Sequence, residues 1–142
     1  MMGDQLYAGD VTPTETWEAL RSDGQAVLVD VRTVAEWQLV GQPNLAEAGK
    51  APVNVEWQSM QTGAVNENFA AELAQAGVGQ DQPIYFLCKV GGRSQAAAVF
   101  MTQAGYKHCY NIAEGFEGGL NEQGRRGQNT GWKAEGLPWA QP

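Results

Sequence analysis

Apolar residues along the chain fall into two periods. Ala26-Val27-Leu28-Val29-Asp30-Val31 and Ile84-Tyr85-Phe86-Leu87 are nearly continuous apolar runs, as expected of strands covered on both faces. Cys109-Tyr110-Asn111-Ile112 is a third strand candidate. Residues 52–55 suit a strand at a sheet edge, where Pro52 is tolerated. Between these runs the spacing turns helical. Trp17 and Leu20 share one face; Phe69, Leu73 and Ala76 share another within 66–76; Ala96, Val99 and Phe100 do so within 94–105. Two helix starts are written in capping chemistry. Thr12, Pro13 and Glu15 make a capping box with proline at the first helical position, and Thr33 with Glu36 repeats the spacing ahead of Trp37. Residues 41–50 read as loop. From Glu114 onward seven glycines fall between Gly115 and Gly136, which predicts an irregular segment with one short helix near Phe116, closing on Trp132, Leu137 and Trp139.

Strands alternating with helices predict an α/β layered fold around a mainly parallel sheet. A length of 142 residues fits one domain, 1–142, large enough for its own core. Net charge is −7 with nine basic residues, which argues against nucleic-acid binding and against docking on anionic membranes. Two cysteines make no disulfide framework. The first twenty residues lack a basic region followed by an apolar run, so no secretory signal is expected. No stretch approaches the ~20 apolar residues of a membrane span. A reducing cytoplasmic setting is the expectation, one in which cysteine stays a free thiol. His108 is the only histidine, so no metal site is expected. The five tryptophans read as core and lid packing, and no cofactor is expected.

The chemistry concentrates in Phe86-Leu87-Cys88-Lys89-Val90-Gly91-Gly92-Arg93-Ser94-Gln95. A strand ends, a glycine-bearing loop follows and a helix begins, which is where open α/β sheets bind ligands. Glycines let backbone amides turn inward to form an anion nest, and the helix start adds unsatisfied N–H groups. Amides, helix terminus, Lys89 and Arg93 all stabilise a negative sulfur at Cys88, and thiolate is the reactive form. Cys109, set in a strand, reads as a buried structural residue. Asp30 and Arg32 read as a structural ion pair, and Arg125 with Arg126 as solvated charges.

Cys88-Lys89-Val90-Gly91-Gly92-Arg93-Ser94 resembles the active-site loop of the rhodanese family: a cysteine, four loop residues, arginine, then serine or threonine. Val29-Asp30-Val31-Arg32 with Glu36-Trp37 resembles that family's first signature. Glu114-Gly115-Phe116, Gly131-Trp132 and Gly136-Leu137-Pro138-Trp139 resemble its closing one. The resemblance implies a three-layer α/β/α fold with a mostly parallel five-stranded sheet. It implies a catalytic Cys88 persulfide, a donor site built from Lys89, Val90, Gly91, Gly92, Arg93 and Ser94, and support of the loop by Asp30, Arg32 and Arg93. Its partners would be a small anionic sulfur donor such as thiosulfate and a thiol or protein acceptor. The chain departs from the family in Lys89, where many members carry arginine, in Gly41-Gln42-Pro43, and in a longer 118–130 stretch. Two other functions share the fold. One is a sulfur carrier or interaction module. The other is a phosphatase or arsenate reductase, whose loop has one more residue between cysteine and arginine.

Overall fold

Both capping boxes form. Thr12 and Glu15 exchange side-chain and backbone hydrogen bonds at the start of α1 (Pro13–Ser22), as do Thr33 and Glu36 at the start of α2 (Val34–Leu39). The computed structural model describes residues 6–141. In it the four expected strands become β2 (Val27–Asp30), β4 (Val53–Asn54), β5 (Ile84–Leu87) and β6 (Cys109–Ile112), and a further strand that the sequence pattern does not announce, β1 (Gly9–Val11), joins them. These pair as one five-stranded sheet in the order β1-β6-β5-β2-β4, every neighbouring pair parallel. The fold is the α/β arrangement implied above. β5 lies near the centre, buried at all four positions.

Side-chain alternation sorts the strands between two cores. Val29, Ile84, Phe86, Cys88 and Cys109 face one side, covered by α3 (Phe69–Gln75) and α4 (Gly92–Gln103). Leu28, Tyr85, Leu87 and Ile112 face the other, covered by Trp17 and Leu20 of α1 and by Phe116 and Trp132 of the C-terminal segment. Trp17, Trp57 and Trp132 are buried, whereas Trp139 is 41% exposed.

Four expectations need correcting. Residues 41–50 are not all loop: β3 (Gln42–Pro43) pairs antiparallel with β7 (Trp139–Ala140), and 46–48 make a 3-10 turn. Ala76 lies just past the end of α3 and is exposed. α4 starts two residues early and buries Ser94, Ala97, Ala98 and Met101, while Ala96 and Phe100 face outward. The small residues let the helix lie close to the sheet. Near Phe116 there is a turn and no helix, because the amides of 116–118 bond carbonyls of the Cys88 loop.

Candidate active site

Cys88 follows the last residue of β5, at the carboxyl end of the parallel sheet. Its Sγ is 3.1 Å from the Gly91 amide, which donates to it, and 3.1 Å from Ser94 Oγ. The residue is 1% exposed. Gly91 adopts φ 111 at the N-cap of α4, a left-handed conformation that glycine takes without penalty. Gly92 is already helical, so one glycine shapes the turn. Val90 points outward and is 45% exposed.

Arg93 borders the same cleft as Lys89 and forms an ion pair with Glu36. Its Nη1 and Nη2 donate to Glu36 Oε1 at 2.7 Å and Oε2 at 3.0 Å. Burial pushes the Glu36 carboxyl up, but the hydrogen bonds and charge of Arg93, helped by Thr33, outweigh it and leave the group below its ordinary 4.5. The same hydrogen bonds hold Arg93 above its ordinary value. Glu36 thus caps α2 and pins α4 with one carboxylate. A group held down in this way contributes stability above its unfolded value and loses it as pH falls through its folded one. Glu36→Gln should therefore destabilise the protein at neutral pH. The gap to wild type should narrow as pH drops below 4.5, read by thermal melts across pH.

Asp30 and Arg32 are both fully buried. Arg32 Nε and Nη2 grip the Asp30 carboxylate at 2.9 and 2.7 Å, and Nη2 also donates to the Gly41 carbonyl at 2.7 Å. The guanidinium lies 4.4 Å from the Phe116 ring centre. The pair therefore ties the end of β2 to the start of β3 and stacks on the C-terminal segment. Its side-chain hydrogen bonds do not reach residues 88–94. Support for the loop comes from a different direction. The Phe116 amide donates to the Cys88 carbonyl at 2.8 Å, and the Glu117 and Gly118 amides donate to the Lys89 carbonyl at 3.0 and 3.2 Å.

This docking requires Gly115. A Cβ there would lie 2.5 Å from both the Cys88 and Lys89 carbonyl oxygens, at φ +61. Gly115→Ala should lower the urea midpoint at unchanged m-value, by about 1–3 kcal/mol of strain, and should displace the loop. Arg126 donates to the Gly118 carbonyl at 2.8 Å, so it braces this segment. Arg125 is exposed.

A cleft of about 460 Å³ opens over the loop, bordered by Glu36, Val40, Met60, Lys89, Arg93 and Glu117. Among the described residues Lys89 makes no ion pair. Cys109 is buried against the Tyr106 carbonyl; burial pushes its thiol up, with Thr102 opposing. Sequence reading missed Glu36 as the partner of Arg93, and Asn111, which bonds Ser94. The signal for Asn111 was present: a polar residue inside a buried strand needs a partner.

Comparison with known proteins places the chain by family and fold. The model of the STR4 middle domain family matches residues 8–142. The chain belongs to that family. The crystal structure of Rv0390 from M. tuberculosis superposes with a TM-score of 0.86 at 47% identity, covering 96% of this chain and 99% of that one. An uncharacterized protein of Rickettsia conorii is 40% identical, over 92% of this chain and 95% of its own length. A thiosulfate sulfurtransferase GlpE of Pseudomonas syringae is 31% identical, over 74% of this chain and 81% of its own. This chain is thus similar in sequence to thiosulfate sulfurtransferases as distant relatives, and its fold is rhodanese-like.

Proposed function

We propose that the protein transfers sulfane sulfur through a persulfide on Cys88. The observation that carries this reading is the sulfur's setting. A backbone amide donates to it, a serine hydroxyl lies beside it, and a helix begins four residues on. The amide and the helix start can stabilise negative charge on sulfur. The Cys88 thiolate would attack the outer sulfur of a donor such as thiosulfate. A new S–S bond forms, the donor's S–S bond breaks, and its electron pair leaves with sulfite. An acceptor then attacks the terminal sulfur: cyanide in an assay, a thiol in the cell. The thiolate is restored, and the two half-reactions predict ping-pong kinetics.

Among the described residues Lys89 makes no ion pair at the cleft, which suits it to drawing in an anionic donor as a point charge. Cys88 is 1% exposed, and the cleft bordered by Lys89 and Arg93 is the side from which a donor would approach it. Phosphatase chemistry fits less well. Only residues 89–92 separate Cys88 from Arg93, and one N–H on each Arg93 Nη already serves Glu36, which leaves the fork less suited to gripping phosphoryl oxygens bidentately.

The test is intact mass after incubation with thiosulfate, followed by peptide mapping. A gain of one sulfur atom on the Cys88 peptide, lost on adding cyanide, is expected. No gain with thiosulfate or with a small persulfide donor would overturn the reading.

A further inference from the structure

Ser94 has one hydroxyl proton and two acceptors within reach. Its Oγ lies 3.1 Å from Cys88 Sγ and 2.6 Å from Asn111 Oδ1. A serine hydroxyl donates once, so it cannot serve both. The orientation of Asn111 decides between them. Asn111 Nδ2 donates to Asp10 Oδ1 at 3.0 Å. A carboxylate only accepts, so the amide NH₂ must face Asp10 and the amide oxygen must face Ser94. Asp10 and Asn111 are direct neighbours in the β1–β6 ladder, so the sheet itself enforces the pairing. Tyr7 Oη donates to the same Asp10 oxygen at 2.8 Å and accepts from Gln95 Nε2 at 2.8 Å. Burial pushes the Tyr7 hydroxyl up; Gln95 opposes this and Asp10 reinforces it, so Tyr7 remains a donor. Gln95 follows Ser94 on α4, so the chain of bonds closes on the helix where it began.

Two states follow from this arrangement. With Cys88 as a thiol every group is matched: S–H donates to Ser94 Oγ, and Ser94 donates to Asn111 Oδ1. With the sulfur proton gone, the hydroxyl is contested. If it turns to the sulfur, Asn111 Oδ1 loses its donor while 4% exposed. If it stays, a negative sulfur faces an oxygen lone pair. We propose that Asp10 and Asn111 are positioning residues for Cys88: by fixing the amide of Asn111 they hold the Ser94 proton away from the sulfur, and so restrain loss of the thiol proton. The purpose of this restraint rests on the sulfur-transfer reading; its physics does not. The other charged groups around the loop are Lys89 within it, Arg93 on α4, whose charge acts on Cys88, Glu36 on α2 and Glu117 in the C-terminal segment at the same cleft, and the buried Asp30–Arg32 pair at the end of β2. Among the described residues none of these hydrogen-bonds Ser94, Asn111 or Asp10.

The experiment is iodoacetamide alkylation of Cys88 against pH in a Cys109→Ser background. Asp10→Ala alters an exposed residue of an edge strand, and Asn111→Leu removes the acceptor without changing charge. Each should lower the pH of half-maximal alkylation by about half a unit, the worth of one hydrogen bond. Removing the Asp10 charge also favours thiolate directly, so both are repeated with Ser94→Ala, where Asn111→Leu should not move the midpoint and Asp10→Ala should move it only by the smaller direct effect of the charge. Unchanged midpoints in folded Asp10→Ala and Asn111→Leu, or equal shifts without the Ser94 hydroxyl, would overturn the proposal. Should Asn111→Leu not fold, Asp10→Ala with and without Ser94→Ala decides alone. Sulfur uptake by mass on the same proteins is read separately. Shifted midpoints without any uptake would remove the sulfur-transfer reading and leave this inference standing.

Discussion

Cys88→Ser protein should fold as wild type does and take up no sulfur. Serine keeps the size of the side chain, and its oxygen can accept from the Gly91 amide as the sulfur does. A hydroxyl is a far weaker nucleophile than a thiolate near neutral pH and forms no persulfide. The expected loss is complete, down to the limit of detection by mass. Cys109→Ser is the matching control. Its thiol sits among Tyr106 and Thr102, held above its usual value by burial. Uptake should stay within about twofold of wild type, since a buried, protonated thiol is inert. Uptake by folded Cys88→Ser, or its loss in folded Cys109→Ser, would move the chemistry to the other cysteine.

Arg32→Met should carry the largest stability loss. The guanidinium and the Asp30 carboxylate are both fully buried and share two close hydrogen bonds. Removing the cation leaves the buried carboxylate with only the backbone N–H of residue 32 donating to it, which costs about 3–5 kcal/mol. For a chain of this size that is roughly 10–15 °C in melting temperature. The Gly41 carbonyl loses a donor and Phe116 loses the group stacked on it. A second substitution tests the cause. Asp30→Leu added to Arg32→Met removes the stranded charge and should recover part of the loss, because apolar replacement of a whole buried pair is often neutral. A double variant no better than the single would mean that packing on Phe116, not charge, holds this corner.

The strands and helix starts were legible because each rests on local information. A run such as Ile84-Tyr85-Phe86-Leu87 has nowhere to go but the middle of a sheet, and threonine three residues before glutamate caps a helix wherever it occurs. The loop around Cys88 was legible for the same reason: its residues are contiguous. Features made by distant segments were not. β3 and β7 are two residues each and exist only because they pair with one another. The inward face of α4 was misjudged because hydrophobicity favoured Phe100, whereas the sheet admits Ala97 and Ala98 and leaves Phe100 against Trp57 at 5.5 Å. Glu36 announced itself as a cap, but its grip on Arg93 spans 57 positions, and nothing near either residue in the chain signals it.

The docking of the C-terminal turn on the Cys88 and Lys89 carbonyls has a consequence for exchangeability. Main-chain contacts do not depend on which side chains the loop displays. Val90 points away from the body of the protein, and Lys89 lends only its carbonyl to the clamp. Positions 89 and 90 therefore behave as an interchangeable cartridge in a fixed housing. Their chemistry can be swapped to suit another donor while the turn at Gly91 and the brace at Gly115 stay in place. A library confined to those two positions should yield folded proteins throughout and differ mainly in which sulfur compounds they accept.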